Sequence, residues 1–298
     1  MVHHRAQADI VEGQPVNGKA QSTAYKAEPS AQNSEQGGAA LTIKGVGVDY
    51  STAEGTFTAV ERVDLDIAAG EFVSIIGPSG CGKSTLLHSI GGLIPPTRGE
   101  VEFRGEVIGE PHPDRAAFVF QDYSLLPWKT TLDNVALGLQ FKGVSKGERR
   151  ARARDLLRTV RLEAFANSYP AELSGGMQQR AAVVRALAMD PDILLLDEPF
   201  GALDEHSRRQ LGVEMAELLT TTGKILILIT HSLDEAVFWG DRVVVMGASP
   251  GHVKEVMEIS APRPRAVDFM LTDEFVDARR HLLELSRHDL DGEPEPAE

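Results

Sequence analysis

The sequence is poor in cysteine. Cys81 is the one thiol among 298 residues, so no intrachain disulfide can form, which fits a reducing compartment. Long apolar runs are missing too. Stretches such as residues 193–196 and 225–229 are far shorter than the roughly 20 residues that a membrane-spanning helix needs. No apolar segment follows the early positive residues, so no secretory leader is expected. Positive charge falls short of negative: 30 Lys and Arg stand against 44 Asp and Glu, a net charge of -14. Surfaces that bind nucleic acid usually carry the opposite balance, so no nucleic-acid partner is expected. Internal repeats are absent as well.

What is present is the composition of an ordinary globular protein, with 42% hydrophobic and 25% charged residues. Residues 1–39 are rich in Gln, Ala, Ser, Gly and Glu. They read as a disordered tail, because they can bury too little to offset ordering entropy. Order is expected from Leu41. Strands are predicted over residues 41–48, 58–67 and 71–76, a helix over 83–90, and short strands over 101–104 and 116–120. Residues 131–166 read as helical, and Ser174 caps a helix running to about Met189. Then come a strand (193–196), a helix (204–221), a strand (225–230), a helix (233–239) and strands over 242–246 and 253–259. Residues 269–287 look helical, with an acidic tail after them. This alternation predicts an α/β fold with parallel strands at its centre, interrupted by a helical subdomain at about 130–190.

Gly77-Pro78-Ser79-Gly80-Cys81-Gly82-Lys83-Ser84-Thr85 matches G-x-x-x-x-G-K-S, between a predicted strand and a predicted helix as that motif requires. The glycines let backbone N–H groups converge on phosphate oxygens, and the helix N-terminus adds favourable partial charge. Lys83 is expected on the β- and γ-phosphates, Ser84 on Mg²⁺ and Thr85 on the α-phosphate. Residues 193–198 form an apolar strand ending in Asp197 and Glu198. Ligands gather at the carboxyl ends of such strands. Asp197 is therefore placed to hold Mg²⁺, and Glu198 either to act as general base toward a water or to cap the turn at Pro199. Ser174, Gly175 and Gly176 offer a second anion site or an ordinary helix cap.

In this order, the phosphate loop, Gln121, Leu173-Ser-Gly-Gly-Met-Gln-Gln-Arg180, the strand ending Asp197-Glu198-Pro199, Ala202-Leu203-Asp204 and His231 resemble an ATP-binding cassette (ABC) ATPase over residues 41–260. Residues 120–128, 133–135 and 262–265 resemble, within that family, the ATPase subunits of importers for nitrate, sulfonate and taurine.

The resemblance implies a P-loop NTPase fold: domain 40–265 with a mixed central sheet, an antiparallel β subdomain and the inserted helical subdomain, then a C-terminal helix and acidic tail over 266–298. It implies ATP and Mg²⁺ as ligands, and two cassettes joined head to tail as a homodimer. Ser174, Gly175 and Gly176 would then reach the γ-phosphate held by the partner cassette's phosphate loop. Gln121 would sense Mg²⁺ and the attacking water, Asp204 would set the dimer contact, and His231 would bridge the γ-phosphate to the partner. Tyr50, 27 residues before the loop, would stack on adenine, with Phe57 as its rival. Residues 122–134 would meet membrane-spanning permease subunits, or else form a satellite core under the helices. An extracytoplasmic solute-binding protein would complete the complex, and the chain would sit peripherally on the cytoplasmic face of the cell membrane.

Cys81, beside Lys83 and a helix start, is expected either to be reactive toward alkylation, with nucleotide protecting it, or to be a spectator. A soluble ABC protein without a transporter is the competing reading. Repair proteins of that kind carry a long coiled coil before the signature. Gln121 and Ser174 lie only 53 residues apart, with no sustained heptads between. Glu198 and His231 argue against a cassette that binds without turnover.

Overall fold

A computed structural model describes residues 39–53, 55–201, 205–248 and 250–287. The strands are β1 (Leu41–Thr52), β2 (Gly55–Ile67), β3 (Phe72–Ile76), β4 (Arg98–Phe103), β5 (Glu106–Val107), β6 (Ala116–Val119), β7 (Ile193–Asp197), β8 (Ile225–Ile229), β9 (Arg242–Gly247) and β10 (Gly251–Glu258). The α-helices are α1 (Lys83–Ile90), α2 (Thr131–Val135), α3 (Leu137–Phe141), α4 (Lys146–Thr159), α5 (Gly175–Leu187), α6 (Glu205–Thr220), α7 (Leu233–Trp239) and α8 (Asp273–Arg287).

All ten strands join one sheet in the order β5-β4-β1-β2-β10-β9-β3-β8-β7-β6. The run β9-β3-β8-β7-β6 is parallel throughout, and β5-β4-β1-β2 is antiparallel. The antiparallel subdomain is thus an arm of the same sheet. It is attached where β10 pairs with β2 in parallel at Gly251–Val60 and His252–Arg62.

The uninterrupted apolar runs of the central strands serve two cores by simple alternation. Phe72 and Ile76 of β3, Leu194 and Leu196 of β7, and Leu226 and Leu228 of β8 face the helices α2 to α8. Their neighbours Val73 and Ile75, Ile193 and Leu195, and Ile225, Ile227 and Ile229 face α1 and the antiparallel arm. Each central side chain is almost wholly removed from water. Burial of such a side chain is worth about 1.5–3 kcal/mol.

The structure departs from the sequence reading at several edges. Strands β1 and β2 run on through Ser51, Thr52 and Thr56 into a long exposed hairpin, held by backbone pairing that the apolar pattern does not reveal. The short strand β5 has two exposed residues and no such pattern at all. Residues 131–166 break into three α-helices and a 3-10 turn (Glu163–Phe165): Gly143 takes a left-handed φ of 76°, and the Ser145 hydroxyl then caps α4 by accepting from Glu148 N. The helix expected over residues 269–287 is divided at Thr272, whose Oγ1 accepts from Phe275 N at 3.3 Å. A 3-10 turn (Val267–Leu271) precedes that cap and α8 follows it.

Residues 262–265 fasten this C-terminal segment to the sheet. Arg263 donates to Asp241 Oδ1 at 2.7 Å and to Gly70 O at 2.9 Å. Arg265, only 8% exposed, donates to the carbonyls of Val237, Phe238 and Gly240 at 2.8–3.0 Å. It thereby satisfies the orphan acceptors at the end of α7. Among the described residues no helix is long and apolar enough to cross a membrane. The tail expected over residues 1–39 lies, apart from Ala39, outside the described residues, as do Asp204 and the acidic residues 288–298.

Candidate functional site

The loop after β3 turns directly into α1. Gly82 is the N-cap, with φ 91°, and no side chain caps the helix. A Cβ at Gly82 would lie 2.5 Å from Ala59 O, so both conformation and space demand glycine there. The first-turn amides of α1 therefore face outward for a ligand, at the positive end of the helix dipole. Lys83 is 6% exposed, and its Nζ donates to the carbonyls of Gly77 and Pro78 at 2.8 and 2.9 Å. The ammonium is thus folded over the loop.

A cleft of about 310 Å³ opens above the loop. Ser79, Gly80, Gly82, Lys83, Ser84 and Thr85 form its floor. Tyr50 and Phe57 form one wall, as directly opposed residues of the β1–β2 hairpin. Tyr50 OH lies 3.4 Å from Thr85 Oγ1. Both rings are open to solvent, at 37% and 56%, and both reach the same cleft. Gly77, Pro78 and Cys81 are not among the lining residues. Cys81 is fully buried, with Sγ 3.9 Å from Lys83 Nζ. Of the two readings of Cys81, this burial favours the spectator, since the side chain belongs to the core cluster beside β3 and α1.

The opposite wall carries Glu198 and His231. Strand β7 ends at Asp197, and Glu198 turns sharply with φ 45°, a left-handed backbone that costs a non-glycine residue about 1–3 kcal/mol. Its amide still bonds to Ile229 O at 2.9 Å, so the turn is fixed by β8. The neighbouring strand end brings in His231, whose Nε2 lies 2.5 Å from Glu198 Oε1. Asp197 Oδ1 accepts from Ser84 Oγ at 3.2 Å. Two oxygen donors of the kind that suits Mg²⁺ thus meet at the start of α1.

Gln121 follows β6 and is exposed. Its Nε2 passes 3.5 Å from where a Cβ on Gly201 would lie, and Glu198 Oε2 passes 3.8 Å from the same point. The loop after Gln121 is held from below. Tyr123 and Ser124 take φ 59° and 45°, and Arg185 of α5 donates to both carbonyls at 2.8 and 2.6 Å. Burial pushes the Arg185 guanidinium pKa down, with Asp122 opposing. Asn134 is fully buried and grips Leu126 N and Leu126 O at 2.8 and 3.1 Å. Leu125 packs on the core beneath, whereas Trp128 is 70% exposed. Leu125 and Asn134 thus fit the satellite-core reading of residues 122–134, and Trp128 lies outside that core.

Ser174 caps α5, its Oγ accepting from Met177 N at 3.4 Å. Among the described residues, Ser174, Gly175 and Gly176 do not line the cleft above the phosphate loop of their own chain. Sequence reasoning missed Thr230 and Glu235, which bracket His231. The signal was available: Ser232 and Glu235 have the spacing of a helix capping box.

Comparisons with known proteins give one answer. The family model described as ABC transporter matches residues 60–201. Over 198 residues the chain is 51% identical to the taurine import ATP-binding protein of Rhizobium johnstonii, covering 66% of this chain and 75% of that protein. Over 252 residues it is 43% identical to the bicarbonate transport ATP-binding protein of Synechocystis sp., covering 83% of this chain and 89% of that one. A solved dimeric ATP-binding cassette, in a post-hydrolysis state bound to ADP and Pi, superposes with a TM-score of 0.66. It is 38% identical and covers 74% of this chain and 100% of its own. The chain belongs to the ABC transporter family and is one of its ATP-binding, ATP-hydrolysing subunits.

Proposed function

We propose that two copies of this chain form a head-to-tail homodimer that couples ATP hydrolysis to uptake of a small anion through a membrane-spanning permease. The observation that carries this reading is the division of the site. The cleft holds the phosphate loop, Glu198 and His231, yet the second anion-binding turn at Ser174, Gly175 and Gly176 is not part of it. A second copy supplies that turn, and Asp204 sets the contact between the copies.

In this reading the backbone of Gly77, Pro78, Ser79, Gly80, Cys81 and Gly82 cradles the phosphates. Lys83 leaves its carbonyl partners for the β- and γ-oxygens, and Thr85 binds the α-phosphate. Tyr50 stacks on adenine. Ser84 and Asp197, already 3.2 Å apart, would hold Mg²⁺ together with Gln121, as oxygen donors that suit this ion. When bound, that ion neutralises charge on the phosphates. Glu198 orients the attacking water and accepts its proton. His231, held against Glu198, bridges the γ-phosphate and the partner copy. With Leu125 anchoring the loop on the core, Leu126, Pro127 and Trp128 face the permease, and the chain sits peripherally on the cytoplasmic face of the membrane. An extracytoplasmic solute-binding protein delivers the anion. The names of the taurine and bicarbonate relatives support a small-anion cargo.

The test uses the full-length Glu198→Gln variant. ATP with Mg²⁺ should convert it to a stable dimer by light scattering, while turnover falls at least about a hundredfold. Adding Ser174→Arg should abolish the dimer and leave ATP bound to the monomer. Retained steady-state hydrolysis in Glu198→Gln sinks the general-base assignment, and a dimer that survives Ser174→Arg sinks the shared site. Co-purification with a permease, and stimulation of hydrolysis by anion-loaded binding protein, test the transport role against a soluble ATPase.

A further inference from the structure

His231 sits between two residues that are tied to each other. The Ser232 amide, on its C-terminal side, donates to Thr230 Oγ1, on its N-terminal side, at 3.0 Å. The Thr230 hydroxyl in turn donates to Glu235 Oε2. Glu235 N donates back to Ser232 Oγ at 3.3 Å. Thr230 is 3% exposed, so this bonding takes place largely out of water.

The arrangement departs from an ordinary capping box, in which the N3 carboxylate takes the N-cap amide directly. Here a hydroxyl stands between them. Ser232 N–H is linked to Glu235 through Thr230, and the backbone on both sides of His231 is pinned as a result. Helix capping alone needs no such intermediary, because Glu235 could accept from Ser232 N itself. The extra link fixes the one residue it encloses.

We propose that Thr230 and Glu235 are positioning residues for His231, holding its imidazole at the Glu198 carboxylate and over the cleft. The inference rests on the role assigned to His231 above. A wandering imidazole loses rate rather than affinity, since reacting groups misplaced by about 1 Å can cost a hundredfold.

The experiment measures kcat and KM for ATP in the full-length protein. Thr230→Val keeps the shape and removes the hydroxyl; kcat should fall about tenfold with KM changed less than about twofold. Thr230→Ser restores the hydroxyl and should recover most of the rate, and Glu235→Gln, which keeps an acceptor, should lose far less than Glu235→Ala. Combined with His231→Ala, Thr230→Val should add no further loss, because its effect passes through the missing ring. If Thr230→Val does not fold, the Glu235 pair and its combination with His231→Ala carry the same comparison. Full activity in Glu235→Ala, or an equal loss with and without His231, overturns the proposal. If instead His231→Ala itself turns over normally, the role of His231 fails and takes the positioning role with it. A severe His231→Ala defect beside an unaffected Glu235→Ala removes only the positioning role.

Discussion

Ser84 and Asp197 stand 113 positions apart in the chain, and their side-chain oxygens meet at 3.2 Å. One opens α1 and the other ends β7, so the contact is set by the parallel order β3-β8-β7 at the centre of the sheet. If the pair holds Mg²⁺, Asp197→Asn should raise the Mg²⁺ concentration needed for half-maximal hydrolysis by about 10–100-fold. ATP binding without metal should change little. A Mg²⁺ titration of phosphate release is the measurement, and an unshifted midpoint removes Asp197 from the metal site.

Tyr50 and Phe57 face one another across the β1–β2 hairpin, and both line the cleft. The ring that stacks on adenine should contribute about 1 kcal/mol, roughly fivefold in Kd. Comparing Tyr50→Ala with Phe57→Ala by calorimetric ATP titration separates them. The expected outcome is the larger loss in Tyr50→Ala; the reverse order assigns stacking to Phe57.

Cys81 is sealed beneath the phosphate loop. A maleimide should label the native chain at least about a hundredfold more slowly than the urea-unfolded chain, since reaction requires local opening. ATP should slow labelling further by holding the loop closed. Native labelling as fast as in urea would show that the loop opens freely.

The antiparallel arm should be the acid-sensitive side of the sheet. The Thr58 hydroxyl and Arg98 hold the Asp49 carboxyl below the ordinary carboxylate range, Arg62 does the same for Asp64, and Lys44 for Glu102. Each folded pKa lies below its unfolded value. The stabilisation is therefore complete above the unfolded pKa of about 4 and is lost as pH falls through the folded values. Urea midpoints between pH 6 and 3 should drop, and the triple variant Asp49→Asn, Asp64→Asn, Glu102→Gln should show a shallower decline. Equal slopes would place the acid sensitivity elsewhere.

The site was legible wherever chemistry demands a fixed local spacing. The phosphate loop needs glycine at Gly82 for both φ and space, and the strand ending at Asp197 shows as an apolar run that stops at carboxylates. Long-range placement was not legible. Nothing near Arg185 in sequence says that its guanidinium holds two left-handed residues at Tyr123 and Ser124. The burial of Cys81 also depends on the opposite face of the sheet, which local spacing cannot report. The hairpin ends and β5 were hidden for a different reason: exposed strands are held by backbone pairing and leave the side-chain pattern free.

The seam between β10 and β2 has a mechanical meaning. In the backbone ladder it consists of two residue pairs, Gly251–Val60 and His252–Arg62. The hairpin bearing Tyr50 and Phe57 lies on one side of it, and the strand leading into Lys83 on the other. The joint is closely packed: a Cβ at Gly251 would lie 2.1 Å from Cys81 O and 2.7 Å from Ala59 O, so only glycine fits there. A nucleotide that reached both Tyr50 and Lys83 would therefore span this seam, adding a non-covalent tie between the antiparallel arm and the parallel half of the sheet.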